Sequence, residues 1–361
     1  MIEKLGMPKW GLSMTEGRLI EWLVEEGAEL AVGDEVAEVE TEKINGVVEA
    51  PFAGVLRRRI ADSDDVIAVG GLLGVIADAS VPDAEIDAFV ADFEATFVPG
   101  EAGEDAGPQP EVAGGLRYLV QGSGGEPLVL LHGFGGDLNN WLFNAEPLSA
   151  ERAVYALDLP GHGGSVKEAR DLVGALREFL DGQGIERAHL AGHSMGGLVA
   201  GGFAAAEPDR VLSLTLIAPV GLGPEIDREY IDGFVVATSR KQLKPVLQRL
   251  FADPEQVSRS VVDDVLKYKR LDGVQATLET LRDRLFPEGR QTSTLDLEAY
   301  AGPILVIWGE ADAIIPAAHA QAAPSRAEVT VLEGVGHSPH MEAAGEVNRL
   351  FEGFLAGVRA G

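Results

Sequence analysis

The stretch RAHLAGHSMGG, residues 187–197, decides the fold of the larger part of this chain. Its apolar first half is typical of a buried strand, and the small-residue run LVAGGFAAA that follows is typical of a helix. The pattern G-x-S-x-G lies at the junction, where its two glycines permit a cramped turn that presents the serine at its tip. We therefore predict that Ser194 is a nucleophile; the alternative is that it caps the N-terminus of the helix.

Five further apolar runs predict the sheet to which that strand belongs. Helical patterns alternate with them, which indicates a doubly wound α/β sheet of buried parallel strands. A helical insertion between Gly221 and Gly302 is expected to form a lid. The runs are PLVLLHGFGG (127–136), RAVYALDLPGHGGS (152–165), VLSLTLIAPV (211–220), PILVIWGEAD (303–312) and AEVTVLEGVGH (327–337).

A serine nucleophile needs a base, and the base needs an acid to orient it. His337 follows the last predicted strand and Asp312 follows the strand before it, so both are expected at the sheet edge where Ser194 lies. The chain order of serine, acid and histidine is the order that this fold requires. Asp227, after the strand that follows the serine, is a weaker candidate for the acid, and His340 is expected to be secondary.

Two backbone amides are expected to stabilise the oxyanion that develops during the reaction. The N–H of Met195 follows the nucleophile, and the N–H of Phe134 in HGFGG is the predicted second donor. The other polar residues near these motifs are predicted to be structural: His132, His162, His193 and Asp158.

The N-terminal region carries a second pattern, centred on ETEKINGVVEAP at residues 40–51. Two segments align at an offset of 37 residues, Gly17 on Gly54, with short apolar runs between turn residues in both. This repeat predicts two half-sheets packed as a small β-sandwich. The dipeptide Asn45-Gly46 is a turn signal, which would place Lys43 at an exposed hairpin tip. Lys43 is then either an attachment point or an ordinary solvated lysine.

Residues 79–115 contain no Lys or Arg and are rich in Pro, Gly, Ala and acidic residues, which predicts a linker. Within it, PDAEIDAFVADFEATF (82–97) has apolar residues at helical spacing, with Asp83 as the candidate cap. The helix is predicted either to pack on one of the domains or to dock a partner subunit.

Composition excludes several classes of function. The formal net charge of −29 argues against nucleic acid as a partner, because phosphate binding needs a basic face. The chain has no cysteine, which excludes disulfides, thiolate metal sites and a cysteine nucleophile, and we expect no metal. No apolar run is long enough to span a bilayer and the N-terminus has no signal core, so we expect a cytoplasmic protein that does not bind membranes.

Two parts of the chain resemble known families. Residues 1–78 resemble a lipoyl domain through VGDEVAEVETEKINGVVEAPFAGVL (32–56), and residues 116–361 resemble the α/β-hydrolase family through HGFGG, GHSMGG and GHSPH. The predicted fold class is therefore multidomain. A small all-β lipoyl-type sandwich is followed by the linker of residues 79–115 and by an α/β-hydrolase fold with a helical lid at about 222–300.

This combination resembles the dihydrolipoamide acetyltransferase component of acetoin dehydrogenase complexes. The resemblance implies that lipoate is amide-linked to Lys43 as a cofactor, and that an acetyl group passes from this arm to Ser194 and then to coenzyme A. It implies two partners, a thiamine-diphosphate-dependent acetoin-cleaving component and dihydrolipoamide dehydrogenase; we also expect a homo-oligomer. Biotin is the alternative attachment, but biotin carriers usually have Met on both sides of the lysine, where this chain has Glu42 and Ile44.

The chain departs from the usual acyltransferases of such complexes. Their H-x-x-x-D-G pattern is absent, and nothing in the linker resembles their subunit-binding domain, so transfer must use the serine triad. A carrier-tethered esterase or thioesterase with water as acceptor, and a non-catalytic lipoyl carrier scaffold, are the alternatives. Residues 228–290 hold 12 Lys/Arg against 10 Asp/Glu. The cluster SRKQLK (239–244) is either a solvated helix face or a phosphate clamp for coenzyme A.

Overall fold

The structure is a computed structural model that describes residues 2–8, 14–41, 45–99 and 108–359. The chain divides into two compact units, one built chiefly from residues before 108 and the other chiefly from residues after that point. Within the described ranges, every helix is too short or too polar to cross a bilayer.

The described part of the first unit is a β-sandwich followed by one helix. Its two four-stranded antiparallel sheets have the strand orders β1-β8-β6-β3 and β5-β4-β2-β7. The elements are β1 (Ile2–Gly6), β2 (Glu16–Trp22), β3 (Glu29–Leu30), β4 (Glu35–Thr41), β5 (Asn45–Glu49), β6 (Gly54–Arg59), β7 (Val66–Ala68), β8 (Leu72–Ala77) and α1 (Asp83–Thr96).

The predicted repeat is present, but its two halves exchange a strand. β7 of the second half pairs with β2, and β3 of the first half pairs with β6. The backbone hydrogen bonds repeat at the same offset. The N–H of Gly27 donates to the Leu56 carbonyl at 2.8 Å, and the equivalent N–H of Asp64 donates to the Leu19 carbonyl at 2.7 Å. Each half therefore completes the sheet of the other, which explains why both are needed.

The turn predicted at Asn45-Gly46 is wrong. β5 begins at Asn45, which pairs with Glu40, and Gly46 pairs with Val39 on β4. Asn and Gly tolerate the positive φ of a turn but do not require it, and here the ladder with β4 extends through both residues. The strands are joined by residues 42–44, which lie outside the described residues, so the predicted exposure of Lys43 is not described.

Helix α1 packs on the β-sandwich of the first unit, which is one of the two predicted alternatives. Ile86 is fully buried against Leu72, Val75 and Ala77, with three half-buried apolar residues of the helix around it. Because α1 covers this sheet from outside, every residue of β8 is buried. The predicted cap is wrong by one position: Pro82 is the N-cap, and Asp83 is the first helical residue.

The second unit has an eight-stranded sheet of order β16-β15-β14-β13-β11-β12-β10-β9. Its elements are β9 (Glu111–Ala113), β10 (Leu116–Gln121), β11 (Leu128–Leu131), α2 (Leu142–Leu148), β12 (Val154–Leu157), α3 (Leu172–Gly182), β13 (Ala188–His193), α4 (Met195–Ala206), β14 (Val211–Ile217), α5 (Arg228–Val236), α6 (Arg240–Leu247), α7 (Arg259–Lys269), α8 (Val274–Leu285), β15 (Ile304–Gly309), β16 (Glu328–Leu332), α9 (Pro339–Glu342) and α10 (Ala344–Arg359).

The six predicted strands form the parallel part of this sheet, with β13 inside it. The antiparallel strands β9 and β10 were not predicted. Gly114 and Gly115 join them, with φ of +56° and +81°, which is the two-residue hairpin signal that the sequence did contain. β9 lies inside the stretch predicted as linker, so the connection is shorter than residues 79–115. Helices α5 to α8 fill the predicted insertion between β14 and β15.

We predict that Ile86→Ala will loosen α1. Removing a fully buried isoleucine side chain costs about 2–5 kcal/mol, because the cavity it leaves is only partly refilled. Hydrogen exchange of the intact chain, read by mass spectrometry, should show faster exchange of the α1 amides. Val98→Ala is the matched control, because its side chain is half exposed. Equal protection of α1 in both variants would contradict its packing on the first unit.

Candidate active site

Ser194 lies in the turn between β13 and α4, with a φ of +52° and a ψ of −115°. This backbone conformation costs a residue with a Cβ about 1–3 kcal/mol. The Ser194 N–H donates to the Ile217 carbonyl at 2.9 Å, which helps to hold the turn. A Cβ on Gly192 would overlap the Gly196 carbonyl, and a Cβ on Gly196 would overlap the Leu131 carbonyl. The predicted strand–turn–helix is present, and Ser194 keeps 7 % of its surface accessible.

His337 and Asp312 form a buried hydrogen-bonded pair beyond the carboxyl ends of β16 and β15. The Nδ1–H of His337 donates to Oδ2 of Asp312 at 2.7 Å. Because the acceptor is a carboxylate, the proton lies on Nδ1, and Nε2 keeps the lone pair that a base needs. No hydrogen bond joins the Ser194 hydroxyl to His337 within the described ranges, and such bonds are often loose before substrate binds.

Three further donors orient the carboxylate of Asp312. The Trp308 Nε1–H donates to Oδ2 at 2.9 Å, and the N–H groups of Ile314 and Ile315 donate to Oδ1 at 2.8 and 2.9 Å. With His337, these donors fix the orientation of the carboxylate. The sequence analysis missed Trp308; its signal was an indole four residues before the acid, at the end of a buried strand.

The two other aspartates considered from sequence have structural partners. Asp227 accepts from the Glu229 N–H at 3.0 Å at the start of α5 and forms an ion pair with Arg249. It is therefore not the partner of the base. Asp158 accepts from the Leu138 N–H at 2.7 Å and holds the loop after β11.

Two buried histidines hold the loop that carries the predicted oxyanion donor. Nε2 of His132 accepts from the Leu159 N–H at 2.9 Å, and Nε2 of His162 accepts from the Gly135 N–H at 3.1 Å. Burial lowers the pKa of His132 to about 4 and that of His162 to about 3. Both rings are therefore neutral at physiological pH and position the loop, as predicted.

The amides of Phe134 and Met195 are available as donors. No hydrogen bond among the described residues uses either N–H group. The Phe134 ring packs edge-on against Phe234 of α5 and Phe286 at the end of α8, with ring centroids 5.8 and 6.1 Å away. The helical insertion thus packs directly on the predicted oxyanion loop.

A column of aromatic rings lies behind the base. The His193 ring centroid is 4.8 Å from that of His337 and 4.5 Å from that of His340, and the His340 ring is 4.5 Å from Trp141. Neither ring nitrogen of His340 has a hydrogen-bond partner in the described structure. Burial, and then the nearby His337, lower the pKa of His340 to about 3, so its ring is neutral, and it packs at an interplanar angle of 42° against both His193 and Trp141.

The basic residues of the cluster SRKQLK (239–244) have different surroundings in the structure. Arg240 forms an ion pair with Asp263 of α7, whereas Lys241 and Lys244 are exposed on α6. The positive charge available to bind a phosphate is therefore smaller than the sequence suggests.

Lys43, the predicted cofactor attachment point, lies outside the described residues. The strands on both sides of it are described, and Glu40 of β4 pairs with Asn45 of β5. Lys43 is thus the middle one of the three residues that connect two paired strands.

We predict that His340→Phe will reduce the loss of stability in acid. The pKa of His340 in the folded state lies below its value in the unfolded chain. The stabilisation that His340 gives as a neutral ring is therefore fully present above about pH 6.5, and it is lost from the free energy of unfolding as the pH falls. Between about pH 7.5 and about pH 5, one such histidine lowers the free energy of unfolding by about 2 kcal/mol. The phenylalanine variant should not show this decrease. Urea denaturation at both pH values measures the difference.

The control is Trp141→Phe, which changes the same column without removing a titratable group. It should keep the pH dependence of the unchanged chain. A His340→Phe variant with that same dependence would show that the ring is not held neutral in the folded state.

Comparisons with known proteins agree on both units. The description "Alpha/beta hydrolase family" matches residues 128–350, and "Biotin-requiring enzyme" matches residues 3–76. A membrane phospholipase A, described as a novel bacterial virulence factor, has a TM-score of 0.62 at 27 % identity. That match covers 77 % of this chain and 98 % of the phospholipase chain.

Two relatives extend along nearly the whole chain. The dihydrolipoyllysine-residue acetyltransferase component of the acetoin cleaving system from Pseudomonas putida is 51 % identical, over 98 % of each chain. The component with the same description from Cupriavidus necator is 48 % identical, over 97 % of this chain and 96 % of that one. The chain therefore belongs to the family of dihydrolipoyllysine-residue acetyltransferase components of acetoin cleaving systems, with an α/β-hydrolase fold in its larger unit.

Proposed function

We propose that this chain moves an acetyl group from a lipoyl-lysine thioester to coenzyme A through an acyl-enzyme on Ser194. The observation that carries this proposal is the buried His337–Asp312 pair together with a strained, partly accessible serine, whose neighbour His193 lies 4.8 Å from His337 between ring centroids. The first unit of the same chain has the strand repeat of a lipoyl domain. The names of the two full-length relatives support the acetyltransferase activity.

The roles of the residues follow from their positions. Ser194 attacks the thioester carbonyl while Nε2 of His337 takes its proton, and Asp312 stabilises the imidazolium that forms. The amides of Phe134 and Met195 donate to the oxyanion. His337 then protonates the leaving sulfur, the carbon–sulfur bond breaks, and the acyl group stays on the serine. The thiol of coenzyme A next gives its proton to His337 and attacks the acyl carbon. The bond from that carbon to Oγ of Ser194 then breaks, and His337 returns the proton to the serine oxygen.

Lys43 is the proposed attachment point for lipoate. The strand bounds support this, because β4 ends at Thr41 and β5 begins at Asn45, and Lys43 is the middle one of the three residues between them. A lipoyl group there supplies the dithiol that a chain without cysteine lacks.

The partners are proposed from the family. The relatives' names place them in an acetoin cleaving system, which implies further components. We propose a thiamine-diphosphate-dependent component that loads the arm, dihydrolipoamide dehydrogenase that reoxidises it, and self-association of this chain. The net charge of −29 favours basic surfaces on these partners.

Water is the alternative acceptor. The phospholipase A that shares this fold at 27 % identity favours that alternative, because by its name it is a hydrolase. The same triad would then make the chain a tethered thioesterase.

We predict that the intact chain, given acetyl-dihydrolipoamide and coenzyme A, will form acetyl-CoA faster than acetate. A thiol acceptor bound next to the acyl-serine outcompetes bulk water because binding orients it. Chromatography of the two products over time measures the ratio. Acetate as the main product at saturating coenzyme A would favour the thioesterase.

We predict that Ser194→Ala will lower acetyl-CoA formation by about three orders of magnitude or more, as loss of the nucleophile does in serine enzymes. Lys43→Arg is the matched variant: it should remove activity in the assembled complex but retain transfer from free acetyl-dihydrolipoamide. Intact mass should show one lipoyl group on the alanine variant and none on the arginine variant. Full complex activity with Ser194→Ala would support the scaffold alternative.

A further inference from the structure

Glu342, the last residue of α9, binds two separate segments of the chain with one carboxylate. Its Oε2 accepts from the N–H of Gly336 at 2.6 Å, and its Oε1 accepts from the N–H of Ala252 at 2.8 Å. The N–H of Asp253 is a longer donor to Oε1, at 3.4 Å. Gly336 directly precedes the base His337, whereas Ala252 lies between α6 and α7 in the helical insertion. The carboxylate therefore joins the loop that carries the base to the insertion.

The two segments also contact each other directly. The Ser338 N–H donates to the Leu250 carbonyl at 3.1 Å. A Cβ built on Gly336 would be 2.6 Å from the nitrogen of Ala252 and 2.7 Å from the carbonyl carbon of Phe251. Because both of these are backbone atoms, neither can turn aside as a side chain would. The loop of the base is thus packed against residues 250–252 without space for a side chain at position 336.

The backbone around His337 is held from several directions. The N–H groups of Gly336 and Ser338 donate to the acceptors just described, and the His337 carbonyl accepts from Nε2–H of His193 at 2.8 Å. His193 directly precedes Ser194, so its bond fixes the base relative to the turn of the nucleophile. The bond from Gly336 fixes it relative to the insertion. Since a base must lie within hydrogen-bond reach of the proton it takes, a small displacement of this backbone is costly.

A carboxylate is the side chain suited to this bridge. Both oxygens of Glu342 accept hydrogen bonds, one from each segment. An amide has one accepting oxygen, and its nitrogen would face the second N–H as a donor against a donor. The bridge therefore needs glutamate, and glutamine can keep one of its two sides.

We propose that Glu342 is a positioning residue, which keeps His337 within reach of Ser194 by tying the loop of the base to the helical insertion. This rests on the proposed function, in which His337 takes and returns a proton in both steps of the transfer. Glu342 itself touches no reacting atom. The insertion also packs on Phe134 through Phe234, so the same group of helices contacts the loop of the base and the predicted oxyanion loop.

The first test measures steady-state kinetics of the full chain with Lys43→Arg, which removes the competing arm. Acetyl-dihydrolipoamide and coenzyme A are the substrates. We expect Glu342→Ala to lower kcat for acetyl-CoA formation about ten- to a hundredfold and to leave both KM values within about twofold, because a displaced base slows both steps without weakening substrate binding. Glu342→Gln should lie between the two. A kcat within about twofold of the unchanged site in Glu342→Ala would overturn the proposal.

Asp253→Asn is the matched control. It removes one negative charge from the segment that Glu342 binds, without changing the backbone N–H groups of that segment. The Asp253 side chain accepts from the N–H of Glu255 at 2.9 Å, and asparagine caps a helix equally well. The control should keep the kcat of the unchanged site. Equal losses in Asp253→Asn and Glu342→Ala would overturn the bridge, because they would trace the effect to charge alone.

A second measurement separates positioning from a general loss of structure. In the His337→Ala background the base is absent, so adding Glu342→Ala should lower the remaining rate by less than about twofold, because Glu342 acts through the base. The acyl donor here is p-nitrophenyl acetate, whose good leaving group keeps the remaining rate measurable. A further loss of about tenfold or more would show a role in the fold only, and would overturn the proposal.

Failure of the proposed function is seen separately. It would appear as absent acylation of Ser194 by acetyl-dihydrolipoamide in the unchanged site, whereas p-nitrophenyl acetate would still report the effect of Glu342 on the base. Normal acylation of Ser194 with an unchanged kcat in Glu342→Ala would overturn only the role of Glu342.

Discussion

The left-handed backbone of Ser194 is the constraint on which the rest of the active site depends. A residue with a Cβ at a φ of +52° is stable only when its surroundings hold it there. They do so through the hydrogen bond to Ile217 on the neighbouring strand, and through Gly192 and Gly196, which have no space for a side chain. Because Gly192 and Gly196 have no side chains, the small-residue helix α4 can begin immediately after the serine. In the proposed mechanism, this one strained residue fixes where a substrate carbonyl must come to react.

Neutral imidazoles arrange the loops around that point. His132 and His162 accept backbone N–H groups from neighbouring loops, and burial keeps both uncharged. His193 and His340 are also buried and neutral, in the column behind the base. The ionised group that faces His337 is Asp312, which four donors hold in place. In the proposed mechanism, the imidazolium that forms on His337 is therefore paired with a carboxylate already oriented to receive it.

Sequence patterns predicted the fold class of both parts of the chain, but not the contacts that define where individual strands pair and end. The pattern of apolar residues predicts the six parallel strands of the second unit. The same kind of pattern predicts the repeat at an offset of 37 residues in the first unit. The exchange of β3 and β7 between sheets, and the extension of β5 through Asn45, depend on pairing between distant segments, which local turn propensities do not report. The tautomer of His193 also needed the three-dimensional structure, because it is fixed by the hydrogen bond from Nε2 to the His337 carbonyl, 144 residues further along the chain.

The central claim is that acyl transfer passes through the serine. Its most direct test is a rapid-quench experiment in which the intact chain meets acetyl-dihydrolipoamide without coenzyme A, followed by peptide mass spectrometry. We expect an acetyl group on the peptide that contains Ser194. Once coenzyme A is added, this group should be lost at the rate at which acetyl-CoA appears. Acetyl-CoA formed at the full rate, with no acetyl group ever found on that peptide, would contradict it.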